Sequence, residues 1–282
     1  MRCAWQAYMN LVPIWMRKRV DELGREELQE LRLRLGTPPE LVLKGKRIWL
    51  ERPVCTEDLK FCVNMASKYS PWAASSVEKG YITAFGGHRV GICGDAVLHN
   101  GVMSGVRTIT SVNLRVSRDF SGIATAMTDY SGSVLIIGQP GSGKTTLLRD
   151  LIRQRSDKHG GFVSVVDERE EIFPRNNEGL CFPVGRHTDV LSGCKKTEGI
   201  EILLRNMTPE TIAVDEITAP EDCAALIHAG WCGVKILATA HAGSRHDLIN
   251  RPVYRPLLES RLFETLIIMR PDKTWYIERI DL

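Results

Sequence analysis

A glycine-rich segment, GQPGSGKTTLLRD, joins an apolar run to a helical run and leaves few folds open to this 282-residue chain. It matches the spacing Gly-x-x-x-x-Gly-Lys-Thr from Gly138 to Thr145, directly after the apolar letters VLIIG. In such a loop the glycines let the backbone wrap around phosphate groups, and successive N–H groups at a helix N-terminus point towards them. The sequence therefore predicts a phosphate-binding loop between a buried strand and a helix.

The residue types within this loop predict that it binds ATP together with Mg²⁺. The Lys144 ammonium is expected to contact the β- and γ-phosphates, and the Thr145 hydroxyl is expected to coordinate Mg²⁺. The loop alone leaves open whether the chain is a small-molecule kinase, a nucleic-acid motor or part of a membrane machine. The residues expected to bind the nucleotide are Gly138, Gln139, Pro140, Gly141, Ser142, Gly143, Lys144, Thr145 and Thr146.

Acidic pairs end two further apolar runs, TIAVDE and GFVSVVDE. Asp215 is expected to hold Mg²⁺, and its neighbour Glu216 to polarise an attacking water. A small-molecule kinase would not need this second acid, because its acceptor is a substrate hydroxyl. Asp167 and Glu168 are expected to reach the same edge of the sheet, and the sequence leaves open which of these two acids acts.

Three more side chains are candidates for contact with the triphosphate. The run ATAH ends another strand, so Thr239 could sense the γ-phosphate and His241 could donate to it. A histidine in that place can equally be a structural residue with its hydrogen bonds satisfied. Arg205 lies just before TIAVDE and could balance triphosphate charge in its own or a neighbouring subunit, or form a salt bridge at a helix end.

The order of the runs predicts two domains. Residues 121–282 alternate strand and helix, with polar clusters at the carboxyl ends of the strands, which is typical of an open, mostly parallel α/β sheet. Residues 1–120 carry short alternating strands, a hairpin at Lys44-Gly45 and a helix over TEDLKFCVNMASKYS, as expected for a smaller α+β domain. The segment VGRHTDVLSGCKK is predicted to be a polar loop, with Arg186 and Asp189 as its candidate functional residues.

Composition narrows the classes of partner. A net charge of +3 is mild for a nucleic-acid-binding protein, which usually shows a concentrated basic surface. None of the eight cysteines forms a C-x-x-C pair, so reduced thiols are expected rather than a metal site. The start, MRCAWQAYMNLVPIWMRKR, fits neither a signal peptide nor a membrane span, and it is expected to pack as helix on the protein's own core. Any membrane role is therefore expected to be peripheral.

The motifs of the second half resemble those of the type II/IV secretion and pilus-motor ATPases. The long run ILLRNMTPETIAVDEITAPEDCAALIHAGWCGVKILATAHAGS carries this resemblance, and Glu216, Thr239 and His241 fall on functional positions of that family. The resemblance implies a RecA-like P-loop NTPase domain in an α/β fold. The early stretch ELRLRLGTPPELVLKGKRIWL looks like that family's first domain, which implies a PAS-like α+β module.

A closer resemblance is to a family of sporulation ATPases from endospore-forming bacteria. The segments GYITAFGGHRVGICGDAV, VVDEREEI, GRHTDVLSGCKK and RNMTPETIAVDEI carry it. It implies an ATPase of the mother-cell cytoplasm, peripheral at the membrane, which acts with integral-membrane proteins of a channel to the forespore. It also implies a homo-oligomer, a hexameric ring, and no nucleic-acid partner. Two alternatives stay open at this point: a nucleotide-dependent ring scaffold with little turnover, and a nucleic-acid-stimulated ring ATPase.

Two departures from the secretion ATPases affect the candidate site. Those ATPases carry glycine where this chain has Asp215, which gives this chain a more conventional metal site. Their acidic segment reads Glu-Asp-Pro, whereas residues 167–169 read Asp-Glu-Arg.

Overall fold

The computed structural model describes residues 1–67, 80–127, 132–176 and 178–280. These residues form two compact units. The first comprises Met1–Asp119 together with Pro174–Phe182, and the second comprises Phe120–Phe173 together with Pro183–Leu282. The excursion of Pro174–Phe182 into the first unit has no signal in the sequence, because the regular structure among its described residues is a hairpin with two residues in each strand.

The first unit is a helix-covered antiparallel sheet with the strand order β3-β2-β1-β6-β5-β4. The hairpin predicted at Lys44-Gly45 is confirmed, since Leu43 pairs with Lys46. The helix predicted from TEDLKFCVNMASKYS is present as far as Ser67, and its predicted end lies outside the described residues. The elements are α1 (Trp5–Leu11), α2 (Ile14–Glu27), β1 (Leu28–Arg34), β2 (Glu40–Leu43), β3 (Lys46–Trp49), α3 (Thr56–Ser67), β4 (Tyr81–Thr83), β5 (Arg89–His99) and β6 (Val102–Arg115).

The N-terminal helices pack on the core of this unit, as the sequence predicts. Tyr8 of α1 and Met16 of α2 are fully buried, and the Tyr8 hydroxyl donates to the Leu114 carbonyl at 3.2 Å. The run VMSGVRTITSVNLRVS predicts a strand pair from its sequence, and this prediction is wrong. The run forms the single strand β6, which follows β5 over its whole length through three register shifts that absorb the extra residues. The PAS-like character of this unit stays a prediction.

A buried histidine of the first unit is held neutral by hydrogen bonds at both of its ring nitrogens. His88 is fully buried; its Nδ1 accepts from the Ser117 N–H at 3.0 Å, and its Nε2 donates to the Ala4 carbonyl at 2.9 Å. This pair of bonds requires one protonated and one bare nitrogen. Burial is the main cause that lowers the pKa of His88 from 6.5 to about 4.

We expect this histidine to make the protein less stable in mild acid. Below about pH 6.5 the unfolded chain binds a proton that folded His88 does not bind until about pH 4, so the free energy of unfolding falls as the pH drops through this window, by about 3 kcal/mol. Urea titrations across the window should show this slope in the wild type. His88→Gln should be less stable near neutral pH and show a smaller slope; equal slopes would contradict the assignment.

The second unit contains a seven-stranded sheet with the order β11-β8-β12-β13-β7-β14-β15, parallel except for β15. This confirms the predicted α/β class and the mostly parallel sheet. The elements are β7 (Val134–Gly138), α4 (Lys144–His159), β8 (Val163–Asp167), the excursion strands β9 (Arg175–Asn176) and β10 (Gly179–Leu180), β11 (Thr188–Ser192), α5 (Lys196–Asn206), β12 (Thr211–Ile217), α6 (Pro220–Trp231), β13 (Lys235–Ala240), α7 (Arg245–Asn250), α8 (Arg255–Glu259), β14 (Thr265–Met269) and β15 (Trp275–Arg279).

The core strands of this sheet are almost entirely apolar. Every residue of β7, β8 and β14 is buried, as expected for parallel strands with both faces covered. The prediction of a polar loop over VGRHTDVLSGCKK is wrong at its centre, because Thr188–Ser192 is an edge strand parallel to β8. All five of its residues are only half-buried, so polar residues are tolerated and the strand signal is weak. In the part of the chain that the structure describes, no helix combines the length and apolar character needed to cross a bilayer.

Candidate functional site

The glycine-rich loop leads from β7 into α4 and packs tightly against the end of β14. A Cβ atom on Gly138 would lie 2.6 Å from Ser142 Oγ and 2.8 Å from the Met269 Cβ, so only glycine fits there. Gly143, the last residue before α4, has a φ of 101°, a backbone conformation that favours glycine. The backbone shape of the loop therefore requires both glycines, and the amino end of α4 directly follows the loop.

The ammonium of Lys144 lies inside the loop. Its Nζ donates to the carbonyls of Gly138 at 2.9 Å and Gln139 at 3.0 Å, and contacts His241 Nδ1 at 3.2 Å. Burial lowers the pKa of Lys144, and the negative charges of Asp215 and Glu216 oppose that shift. The loop therefore holds a cation at the point where phosphate groups would lie.

Oxygen ligands suited to Mg²⁺ lie beside this cation. The Thr145 hydroxyl donates to Asp215 Oδ2 at 2.7 Å, and the Thr239 hydroxyl donates to the other oxygen, Oδ1. Burial raises the pKa of Asp215, although both hydroxyl hydrogen bonds work against the shift. A carboxylate and a hydroxyl are the hard donors that Mg²⁺ takes from protein, with water and phosphate oxygens completing its shell.

A buried hydroxyl of the loop also fits bound magnesium–ATP. Ser142 Oγ is buried in the loop and has no hydrogen-bond partner among the described residues, so it is available to a ligand. Among the residues described, no group of three or more His, Cys, Asp or Glu could hold a metal alone.

A bulge at the end of β12 turns two neighbouring carboxylates towards the loop. Successive strand residues normally point to opposite faces, yet Asp215 and Glu216 both contact residues of this site. The register against β13 shifts between Val214 and Ile217, and Glu216 has a φ of 57°. Its N–H donates to the Thr239 hydroxyl at 2.7 Å. This strained backbone, unusual for a side chain of that size, lets adjacent acids share one site.

Both carboxylate oxygens of Glu216 have donors. His241 Nε2 lies 2.7 Å from Oε1, and an Arg169 guanidinium N–H donates to Oε2. Since Lys144 can only donate to His241 Nδ1, the imidazole is neutral and its Nε2–H points to Glu216. Burial would raise the pKa of Glu216, but the His241 hydrogen bond and the Arg169 charge outweigh it, and the pKa is lowered. The carboxylate is therefore ionised, as a base must be.

Asp167 does not have the environment expected of an acid at the nucleotide edge. It is 1% exposed, and its carboxylate accepts the backbone N–H groups of Glu171, Ile172 and Phe173 at 2.8 to 3.2 Å. Burial raises the pKa of Asp167, and these three bonds oppose the shift. The side chain thus fixes the turn after β8.

Glu168 and Arg205 each form an ion pair, and for Arg205 a salt bridge at a helix end is one of the two predicted alternatives. Glu168 Oε2 lies 2.6 Å from the ammonium of buried Lys196, so its charge is already paired. Arg205 is 79% exposed and pairs with Glu201 at 3.3 Å on α5. Because α5 leads into the amino end of β12, Arg205 lies at the opposite end of the strand from Glu216. A role of Arg205 in balancing triphosphate charge in a neighbouring subunit stays a prediction.

The structure therefore brings together most of the predicted residues and adds one. Lys144, His241 and Glu216 form one hydrogen-bonded row. Thr145 bonds to Asp215, and Thr239 links this pair to Glu216. Arg169 was missed by the sequence interpretation, although a signal was present. Its segment departs from the Glu-Asp-Pro pattern by placing an arginine directly after the second acid.

A family model and a sequence relative each match most of this chain. The family model for sporulation stage III, protein AA, matches residues 6–276. Stage III sporulation protein AA of Bacillus subtilis is 37% identical over 90% of this chain and 87% of its own length.

Solved structures with the same fold include an ATPase and a pilus retraction motor. The Legionella pneumophila ATPase DotB superposes with a TM-score of 0.63 at 17% identity, covering 95% of this chain and 80% of that one. The pilus retraction motor PilT with bound ADP superposes with a TM-score of 0.58 at 14% identity, covering 90% and 77%. At such identities the likeness concerns the fold.

Proposed function

The chain belongs to the sporulation stage III, protein AA family, and from this premise we propose that it is a Mg²⁺-dependent ATPase that serves sporulation. The observation that carries the proposal is the hydrogen-bonded group at the carboxyl edge of the parallel sheet. There a buried ammonium, a carboxylate–hydroxyl pair and an ionised second carboxylate meet within one site. An ATPase needs these three elements, whereas a structural domain does not.

Each residue has a definite task in the proposed reaction. Lys144 and the loop N–H groups bind the phosphates, and Thr145 and Asp215 hold the metal ion. Bound Mg²⁺ neutralises negative charge on the phosphate oxygens. Glu216 accepts a proton from the attacking water, and neutral His241 keeps the Glu216 carboxylate oriented through its Nε2–H.

We place this ATPase in a hexameric ring at the inner face of the mother-cell membrane, where integral-membrane proteins of a channel to the forespore would be its partners. Support comes from the motifs shared with sporulation ATPases and from a fold shared with a pilus retraction motor. In this arrangement hydrolysis would power or assemble the channel.

The experiment that tests the proposal measures phosphate release and nucleotide binding by the purified full-length protein. Release should require Mg²⁺, and Lys144→Ala should bind a non-hydrolysable ATP analogue about 100-fold more weakly because charge-assisted bonds to phosphate are lost. Mass measurement with the analogue should reveal the ring. A wild type that neither binds ATP nor releases phosphate would refute the ATPase.

One observation favours a second function, a nucleotide-dependent ring scaffold with little turnover. Both oxygens of Glu216 already have donors, which leaves less basicity for an attacking water. On this proposal ATP binding orders the ring, and hydrolysis is rare. The two functions differ in whether the cell requires turnover or only binding.

A further inference from the structure

An arginine outside the known loop motif reaches the centre of the candidate site. Arg169 follows β8 and bonds to Glu216 Oε2, while its Nε lies 3.7 Å from Glu171 Oε1. The Arg169 side chain is 55% exposed, so it is not fixed by packing. β8 and β12 are neighbouring parallel strands, and their carboxyl ends place Arg169 and Glu216 side by side.

The same contacts connect Arg169 to the phosphate-binding loop. Glu216 Oε1 contacts His241 at 2.7 Å, and His241 contacts Lys144 Nζ at 3.2 Å. A cation therefore stands at each end of a row of four side chains: Lys144, His241, Glu216 and Arg169. Phosphate groups bound at Lys144 would extend along this row, because the β- and γ-phosphates follow one another from the loop towards the base.

The charge of the substrate offers Arg169 a stronger partner than the Glu216 carboxylate. The γ-phosphate carries more negative charge than a single carboxylate, and guanidinium groups match phosphate geometry well. Phosphoryl-transfer sites commonly use an arginine in this role. Arg205 does not supply it within this chain, since it pairs with Glu201 at the other end of β12.

We propose that Arg169 binds the γ-phosphate of ATP by exchanging its ion pair with Glu216 for the phosphate. This assignment rests on the proposed ATPase function. The exchange has two consequences. It brings the positive charge of Arg169 next to the phosphoryl group that is transferred. It also frees Glu216 Oε2 to accept the proton of the attacking water. ADP lacks the γ-phosphate, so ADP leaves the Arg169–Glu216 pair intact.

Calorimetric binding of two probes, MgADP and the magnesium complex of the β,γ-imido analogue of ATP, tests this exchange in the full-length protein. Arg169→Gln should weaken binding of the analogue about tenfold and leave MgADP binding nearly unchanged. Phosphate release at saturating ATP should fall about 100-fold or more. Arg169→Lys keeps the charge and should restore part of both losses.

Arg19→Gln is the matched control, because Arg19 is a half-exposed arginine paired with Glu22 at 2.9 Å in the first unit. It should leave binding and hydrolysis unchanged, and thermal unfolding should show that all variants are folded. Equal weakening of both probes by Arg169→Gln would mean a structural role and overturn the proposal. Faster hydrolysis would mean that Arg169 only restrains Glu216, and would also overturn it.

The outcomes separate this inference from the ATPase assignment. If the wild type hydrolyses ATP and Arg169→Gln behaves like it, only the role of Arg169 is refuted. If the wild type binds both probes without hydrolysis, the ATPase is refuted, and the difference between the probes still decides the role of Arg169. A wild type that binds neither probe refutes both.

Discussion

Glu216→Gln is expected to reduce ATP hydrolysis about 1,000-fold while magnesium–ATP still binds. The amide keeps the size of the side chain and can accept from His241 Nε2, but it cannot take a proton from water. Lys144, Thr145 and Asp215 are untouched, so the phosphates and the metal keep their ligands. Phosphate release under steady-state conditions and direct binding of labelled ATP to the variant measure the two properties separately.

The same variant also distinguishes the ATPase function from the ring-scaffold function. Hydrolysis at the wild-type rate would show that Glu216 is not the base. In sporulating cells, Lys144→Ala should fail under both functions because binding is lost. Failure of Glu216→Gln as well would mean that turnover is needed, whereas normal spores would favour the scaffold.

Asp167→Ala is expected to destabilise the second unit by about 4 kcal/mol, because three backbone N–H groups, two of them in buried hydrogen bonds, lose their acceptor. The turn after β8 carries Arg169, so its loss would disturb the candidate site indirectly. Urea unfolding followed by circular dichroism measures the loss. A variant of wild-type stability without activity would instead support the catalytic role that the sequence suggests for Asp167.

Asp272→Ala provides the comparison. Asp272 also accepts from a backbone N–H and a hydroxyl, both of Thr274, but it is exposed in the turn between β14 and β15. Water replaces the lost carboxylate there, so the expected cost is below about 1 kcal/mol. Similar costs for the two variants would show that burial of the Asp167 bonds is not what makes them important.

The sequence predicts the parts of this structure that depend on local pattern. Uniformly apolar runs identify the core strands, and the loop motif predicts where Lys144 and Thr145 lie. The alternation of strand and helix predicts the mostly parallel sheet. These patterns predict structure well because each depends on residues that are close together in the chain.

The remaining features depend on partners distant in sequence. The strand β11 exists because it lies beside β8, and its own residues give only a weak strand pattern. Asp167 and Asp215 occupy equivalent places in the sequence, since each ends an apolar run and precedes a glutamate. They are distinguished by the folded turn at Glu171–Phe173, whose backbone N–H groups bond to Asp167. The bulge at Glu216 is likewise set by its bond to Thr239 on the neighbouring strand. No pattern inside TIAVDE predicts a left-handed backbone there.

The excursion of Pro174–Phe182 has a practical consequence for dissecting the protein. Phe182 is 7% exposed, and a Cβ atom added to Gly87 would lie 3.3 to 3.4 Å from Phe182, Cys181 and Pro174. A fragment truncated near residue 120 would lack this piece of its own packing, and the complementary fragment would carry it without support. The two halves therefore cannot be cut apart and studied as separable modules, and domain swaps at that junction would yield incomplete proteins.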